Sequence, residues 1–178
     1  VVACGNAQSP VLPAVVRLPG WCGVKAVTGS STGSRLVAED EGAGAIRKVS
    51  SRRAAFHSED EFRLEERKPL RVPGDPRSHP IWRDETAALL ATRRLVKLAH
   101  ETGKRIHVLH ISTKEEIEFL RDHKDVASCE ATPHHLTLVA PECYQRLGTR
   151  AQMNPPCPSA DHRDAVWRGI AHGICDWP

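Results

Sequence analysis

Three titratable residues lie at or near the C-terminal ends of short apolar segments, where they could bind a metal ion. They are Lys25 in CGVKAV, His57 after AAF and His110 in IHVLH. Burying such a group costs several kcal/mol unless it is paired or bound to a metal, and neutral imidazole is the commonest nitrogen ligand of zinc. Each residue alone is more often an ordinary hydrogen-bonded residue, but three at equivalent strand ends favour a metal site. An ammonium group cannot bind a metal, so Lys25 would have to add CO₂ and become a carbamate.

Other titratable residues have two competing interpretations. In an extended strand, His107 points to the face opposite His110, which favours a packing role. His134 and His135 could line a site or form a turn. The acidic run 59–61 could orient His57 or be solvated, and we favour solvation. We expect surface or packing positions for five further histidines: His79, His100, His123, His162 and His172.

Strands alternating with helices would position these residues. The predicted strands span 22–27, 54–57, 105–111 and 126–132, and the predicted helices span 39–53, 84–103, 113–123, 141–147 and 160–172. A turn is predicted at 29–33, and residues 62–80, with four prolines, are predicted to form an extended loop. This alternation predicts an α/β fold with parallel strands.

Composition limits the fold and the partners. The chain has 178 residues, of which 40% are hydrophobic and 26% charged, and a complete (β/α)₈ barrel takes roughly 250. No apolar run reaches the length of a membrane span. The net charge is +3, and no basic stripe interleaved with aromatic residues predicts nucleic-acid binding. The six cysteines form no C-x-x-C motif and no secretory signal is evident, so we expect a cytoplasmic protein with reduced thiols.

Several segments together resemble bacterial dihydroorotase, a cyclic amidohydrolase. The resemblance covers roughly residues 18–176 and implies part of a TIM-type (β/α) barrel of the metal-dependent hydrolase kind. We therefore expect 18–178 to hold the central and late βα units of one barrel domain and 1–17 to be irregular. The segments that carry the resemblance are CGVKAVTGSSTGS (22–34), AAFHSEDE (54–61), the long block 79–116 with VLHIST, ATPHHLTL (131–138), APECYQRLGTRAQMNPP (140–156) and HRDAVWRGIAHG (162–173).

The resemblance implies roles for individual residues. Lys25 matches the carboxylated lysine that bridges two zinc ions, His57 and His110 match metal-binding histidines, and Asn154 in MNPP matches a substrate-contacting asparagine. The implied reaction is the reversible hydrolysis of dihydroorotate to carbamoyl aspartate in pyrimidine biosynthesis. In it the metals polarise the carbonyl and lower the pKa of water.

The chain departs from the family pattern in two places. The H-x-H pair of the first barrel strand is not found before Lys25, and the metal-binding aspartate of a G-S-D-H-A-P-H segment would come after the last residue. Asp176 does not match that aspartate, so no residue of this chain is predicted to be the catalytic acid or base. We therefore expect an internal fragment that has little activity alone.

Two alternatives remain open at the level of sequence. The first is a related cyclic amidohydrolase, an allantoinase or dihydropyrimidinase, which shares the metal site but not the substrate contacts. The second is a non-catalytic, dihydroorotase-like scaffold subunit that associates with aspartate transcarbamoylase. We expect a small-molecule substrate for a cyclic amidohydrolase. A homo-oligomer is compatible with both alternatives.

Overall fold

Five strands of the chain form one parallel sheet. The computed structural model describes residues 2–4, 14, 17–20, 23–28 and 53–176. Each strand pairs with its neighbours in chain order, as in a (β/α) barrel, whereas a doubly wound sheet reverses its order at a switch point. The predicted α/β fold with parallel strands is confirmed. The strands are β1 (Val2–Cys4), β2 (Gly23–Thr28), β3 (Arg53–Ser58), β4 (Ile106–Val108) and β5 (Ala127–Cys129).

Helices follow the strands and supply the connections between them. Among the described residues, no helix is both long and apolar enough to cross a membrane. The α-helices are α1 (Glu61–Arg67), α2 (His79–Trp82), α3 (Glu85–Thr102), α4 (Lys114–Arg121), α5 (Pro133–Thr137), α6 (Glu142–Leu147) and α7 (Ala160–Ala171). Short 3₁₀ helices cover Lys68–Leu70, Pro76–Ser78 and Gly148–Ala151.

Local capping signals set the ends of α3 and α4. The Asp84 side chain accepts a hydrogen bond from the Ala87 N–H, which satisfies one free donor at the start of α3. Gly103 ends α3 with φ +63°, a left-handed conformation that glycine adopts without a steric penalty. At α4, the Thr113 hydroxyl accepts from the N–H of Glu116. Both predicted helices are confirmed.

The two faces of the sheet have different surroundings. The face that contacts α3, α4 and α7 is apolar and forms the main core. Strand alternation places Lys25, Ala55 and His107 on the opposite face, because these three residues are register partners through β3. The core residues on the helix-covered side include Phe56, Ile106, Val108, Ala127, Leu95, Ile117 and Val166.

The segment 62–80 is more regular than predicted. We expected an extended loop because of its four prolines, but the structure contains α1, two 3₁₀ helices and the start of α2. Asp60 caps α1 by accepting from the Arg63 N–H. The prolines of the later turns stand in first-turn positions, where a helix needs no N–H from them. The prediction of a loop was therefore wrong.

Residues near the N-terminus also differ from expectation. We expected 1–17 to be irregular, but Val2–Cys4 forms β1 and pairs in parallel with β2. A three-residue strand is too short to show a sequence period, and its partner lies about 20 residues away, so no local signal marks it. The predicted turn at 29–33 and most of the predicted helix at 39–53 lie outside the described residues, and Arg53 is the first residue of β3.

A buried carboxyl group holds the start of α4 against α3. Glu116 is 1% exposed. The Thr92 hydroxyl donates to Glu116 Oε1 at 2.8 Å, and the Thr113 hydroxyl donates to Oε2 at 2.9 Å. Thr92 also shares a hydrogen bond with the Ser58 hydroxyl at 2.9 Å, so the network reaches the end of β3. Burial raises the pKa of Glu116 to about 7, against hydrogen bonds that lower it.

Replacing Glu116 with glutamine should change how stability depends on pH. The pKa of the folded protein exceeds the ordinary value of 4.5, so this carboxyl's contribution is fully present below pH 4.5 and is lost as the pH rises through 7. Between these limits the parent should lose about 3 kcal/mol more unfolding free energy than Glu116→Gln. Urea unfolding of both proteins across pH 4–8 measures this difference in unfolding free energy. Glu118→Gln, at an exposed position of the same helix, is the control, and curves that stay parallel for parent and Glu116→Gln would contradict the prediction.

Candidate metal centre

Two histidines meet at the carboxyl ends of neighbouring strands. His57 is the fifth residue of β3, and His110 follows β4 by two residues. Because the strands are parallel and adjacent, their carboxyl ends lie at the same edge of the sheet. His57 Nδ1 and His110 Nε2 are 3.0 Å apart, and the ring centroids are 4.9 Å apart in an edge-on arrangement. The structure thus brings together two of the predicted metal ligands.

A backbone turn at His110 makes this meeting possible. Its φ is +43°, a left-handed conformation that few residues other than glycine adopt. The strand β4 ends at Val108, so strict alternation no longer decides where the His110 side chain points. His107, inside β4, bonds Ser128 Oγ at 2.8 Å and Glu130 Oε2 at 3.2 Å. Our expectation that the two histidines lie on opposite faces assumed a longer strand than the structure has.

Lys25 lies on β2, the strand next to β3. It pairs in register with Ala55, and Val27 pairs with His57, so Lys25 stands two residues before the level of His57 on the same sheet face. Its side chain is half-buried. The positive charge of Lys25 is one of the influences that lower the pKa of His110. Lys25 and His57 are therefore on adjacent strands, and His110 lies two residues beyond the end of the next strand.

A carboxylate that is paired with a guanidinium contacts the ring nitrogen of His57 that does not face His110. Glu59 Oε2 is 2.8 Å from His57 Nε2. Arg83 donates from Nε to Glu59 Oε1 at 2.9 Å and from Nη2 to Oε2. Both side chains are buried, Glu59 at 1% and Arg83 at 4% exposure. Burial acts to raise the pKa of Glu59, but the hydrogen bond with His57 and the charge of Arg83 outweigh it and lower the pKa to about 2.

The acidic run after His57 is therefore not a solvated loop, as we had favoured. Glu59 orients His57, and Asp60 is 3% exposed, caps α1 and pairs with Arg94 Nη1 at 2.6 Å. The sequence carries no signal for the Glu59–Arg83 pair, because its members are 24 residues apart and lie in different connecting segments, after β3 and after α2. Only the fold brings them together.

The donor set fits a zinc-class ion. Burial first, and then the charges of His57 and His135, lower the pKa of His110 to about 3, so its imidazole is neutral. Two nitrogens bound to one tetrahedral zinc at 2.0–2.1 Å lie about 3.3–3.4 Å apart, and the observed 3.0 Å needs only a small widening. His110 Nδ1 is buried without a hydrogen-bond partner among the described residues. A carboxylate behind a metal-binding imidazole is the usual supporting contact, and Glu59 provides it.

The segment that carries Asn154 is held by two buried imidazoles. His79 Nε2 is 2.9 Å from the Met153 carbonyl, and His135 Nε2 is 3.0 Å from the Pro155 carbonyl. Asn154 lies between these two anchors and is half-buried. Burial lowers the pKa of both imidazoles, so neutral rings donate to the carbonyls. We had expected a surface or packing role for His79, and no pattern in the sequence marks it as an anchor.

A cavity of about 290 Å³ adjoins this segment. Its walls come from the turn after His110, the Pro155–Pro158 stretch and the start of α3. Polar and apolar groups both face it. The residues that line it include Arg83, Asp84, Ser112, Thr113, Pro156 and His162.

The structure also places the His134–His135 pair and Asp176. His134 is exposed, while His135 is a buried anchor, so the two members of the pair differ. Asp176, which we did not match to the family aspartate, bonds Lys124 Nζ at 2.6 Å and the Cys129 N–H at 2.9 Å. One contact is on β5 and the other is in the turn before it, so together they tie the end of the described chain to this part of the fold.

Sequence relatives of the chain are named dihydroorotase. The chain is 40% identical over 108 residues to a dihydroorotase from Brevibacillus brevis, covering 59% of this chain and 23% of that protein. It is 36% identical over 120 residues to a dihydroorotase from Halobacterium salinarum, and this match covers 67% of this chain and 27% of that protein. The chain thus spans about a quarter of the length of these relatives. No protein-family profile matches the chain.

Solved structures of cyclic amidohydrolases share the fold. An L-hydantoinase (dihydropyrimidinase) from Arthrobacter aurescens superposes with a TM-score of 0.88 at 20% identity, covering 98% of this chain and 40% of that one. A dihydroorotase from Campylobacter jejuni gives a TM-score of 0.63 at 16% identity, covering 96% and 46%. The parallel sheet and its helices therefore match part of a TIM-type barrel.

Proposed function

We propose that this dihydroorotase-like chain supplies metal ligands and a substrate-contacting segment for the reversible hydrolysis of dihydroorotate to carbamoyl aspartate. The observation that carries the proposal is the pair of facing nitrogens of His57 and His110 at the carboxyl ends of adjacent parallel strands. In barrels of this kind, the active site is built at that end of the strands. The dihydroorotase relatives support the choice of substrate.

The ligands would be His57, His110 and a carboxylated Lys25. Glu59 has a pKa of about 2, so it is ionised and can only accept a hydrogen bond. In this assignment His57 carries hydrogen on Nε2, and this N–H donates a hydrogen bond to Glu59, which leaves the Nδ1 lone pair directed towards the site. Two zinc ions, when bound, would polarise the cyclic amide carbonyl and lower the pKa of water.

Lys25 can contribute only after it becomes a carbamate. The neutral amine would form a bond to the carbon of CO₂ and release a proton, which gives a carboxylate-like group with two oxygen donors. The half-buried position on β2 and the neighbouring imidazoles of His57 and His110 support this assignment, because a carbamate would bring a negative charge to ligands that are otherwise neutral. Bicarbonate would then be needed for full metal loading.

Asn154 would contact the substrate. Its amide can donate and accept at once, which suits a ring that carries both N–H and C=O groups. The anchors at Met153 and Pro155 fix the backbone on both sides of Asn154, so the amide is held in place before the ligand arrives. No described residue is assigned the proton-transfer role.

We also propose that 18–178 forms part of one barrel domain.

A hydantoinase or dihydropyrimidinase is the second candidate function. The observation that favours it is the fold, since the TM-score to the Arthrobacter aurescens enzyme is 0.88 and that to the Campylobacter jejuni dihydroorotase is 0.63. Both candidates require the same ligands, His57 and His110. They differ in the contacts made to the substrate ring, so only substrate preference separates them.

A chimera tests the proposal. The segment of the Brevibacillus brevis dihydroorotase that matches this chain would be replaced by the matching residues of this chain, so that the relative supplies the remaining part of the barrel. With zinc and bicarbonate present, we expect turnover of dihydroorotate above that of hydantoin, dihydrouracil and allantoin. The Asn154→Ala chimera should raise KM and retain bound zinc.

Three outcomes would count against the proposal. A folded chimera that prefers hydantoin or dihydrouracil would favour the second candidate. A folded chimera with almost no bound zinc would favour a non-catalytic scaffold. An Asn154→Ala chimera whose KM equals that of the parent chimera would remove Asn154 from the substrate site. In each assay, mass spectrometry measures the bound zinc and circular dichroism shows whether the chimera is folded.

A further inference from the structure

A second group of metal-ligating side chains lies at the other end of the sheet. His100 is in the last turn of α3, and His123 and Asp125 are in the turn between α4 and β5. Both turns lead into the amino ends of β4 and β5, whereas His57 and His110 stand at the carboxyl ends. The parallel sheet therefore separates the two groups.

The three side chains lie close to one another. His100 Nε2 and His123 Nδ1 are 3.4 Å apart, and His100 Nδ1 is 3.9 Å from Asp125 Oδ2. One ligand atom of each residue can be chosen so that all three atoms lie within 4.8 Å of one another. Nitrogens bound to one tetrahedral zinc are about 3.3–3.4 Å apart, which is close to the observed separation of the two imidazoles.

The backbone and a neighbouring ring hold the histidines in place. The His123 N–H donates to the Leu120 carbonyl at 3.1 Å, and the His123 carbonyl accepts from the Ala127 N–H at 2.9 Å. The Phe119 ring lies 4.3 Å from the His123 ring, centroid to centroid. The His100 carbonyl accepts from the Gly103 N–H at the capped end of α3. The backbone of both histidines and the ring of His123 therefore have defined positions before an ion binds.

We propose that His100, His123 and Asp125 form a binding site for a divalent transition ion of the zinc class, distinct from the candidate metal centre. Two imidazoles and one carboxylate suit zinc, whereas calcium and magnesium prefer sets made of oxygen atoms. His100 and Asp125 are exposed, so water can complete the coordination. The bound ion would tie the end of α3 to the turn before β5.

Zinc titration of the chain tests the site. The imidazole Cε1–H signals of His100 and His123, assigned by their loss in His100→Ala and His123→Ala, should shift on addition of zinc. By calorimetry in the His110→Ala background, which removes the candidate metal centre, each of these substitutions should weaken the remaining binding at least tenfold. Zinc should also raise the melting temperature of His110→Ala and leave that of His110→Ala/His100→Ala unchanged.

The matched control is His172→Ala, which removes an exposed histidine outside the cluster and should leave the zinc isotherm unchanged. His100 and Asp125 are exposed, so their substitution spares the core, and the signals of the unaltered chain provide a readout that needs no variant to fold. Unshifted His100 and His123 signals at saturating zinc would overturn the proposal. Equal isotherms for His110→Ala with and without His100→Ala would overturn it as well.

Discussion

Replacing His110 with alanine is expected to lower the zinc affinity of the candidate metal centre by about 100-fold or more. Loss of a supporting contact behind a ligand typically costs 10- to 100-fold in metal affinity, and His110 is proposed as a ligand itself. The nearest imidazole, that of His57, would then have no facing nitrogen. Calorimetric titration with zinc in bicarbonate buffer measures the change.

The titration needs a background in which only this site reports. Parent and variant would both carry His100→Ala, so that the proposed surface site does not contribute to the isotherm. His134→Ala, which removes an exposed histidine, should bind zinc as the parent does. In the chimera, His110→Ala should also abolish turnover of dihydroorotate. Equal zinc affinity with and without His110 would show that the His57–His110 pair is a hydrogen-bonded packing contact.

Replacing Arg83 with methionine is expected to destabilise the fold by about 3–5 kcal/mol. Breaking a buried ion pair by removing one partner leaves an uncompensated charge in the interior. Here the remaining charge is that of Glu59, which is 1% exposed and retains only His57 as a described partner of its carboxylate. Urea unfolding at pH 7 measures the loss of stability.

A second substitution shows whether the uncompensated charge is the cause. Glu59→Gln in the Arg83→Met protein removes that charge and should recover more than half of the lost stability. The control is Arg77→Met, which breaks an exposed pair with Asp75 and should leave stability unchanged, since exposed pairs contribute little. Equal losses for Arg83→Met and the double variant would contradict the explanation. Because the pKa of Glu59 is lowered to about 2, its contribution is present above pH 4.5 and is lost as the pH falls through 2.

Local signals were enough to predict most of the helices and strands. Asp84, Gly103 and Thr113 act within three or four residues of their own positions, so their effect can be read from the sequence. The prediction of an extended loop at 62–80 was wrong, because proline interrupts a helix only at interior positions and is compatible with the first turn. In the structure Pro69, Pro76 and Pro80 stand at helix starts, and the side chains of Asp60 and Asp75 cap α1 and the 3₁₀ helix at Pro76–Ser78.

The candidate site could be predicted only in part. His57 and His110 follow apolar strands, a pattern that is visible in the sequence, and the resemblance to dihydroorotase added Lys25 and Asn154. Arg83 could not be predicted, because its contact with Glu59 depends on how the turn between α2 and α3 packs against the segment that follows β3. The anchors of the Asn154 segment, His79 and His135, bond backbone carbonyls, and a carbonyl is present at every residue. Such contacts leave no pattern of residue types.

Because the backbone at His110 is left-handed, fold stability and metal binding favour different residues at this position. An L-residue with a side chain pays about 1 kcal/mol for this conformation, whereas glycine pays almost nothing. In a library of all substitutions at residue 110, glycine and asparagine should therefore rank above histidine in stability, and histidine should rank first in metal binding. Selection for a stable fold alone would therefore favour a different residue from the one that the proposed metal centre requires at this position.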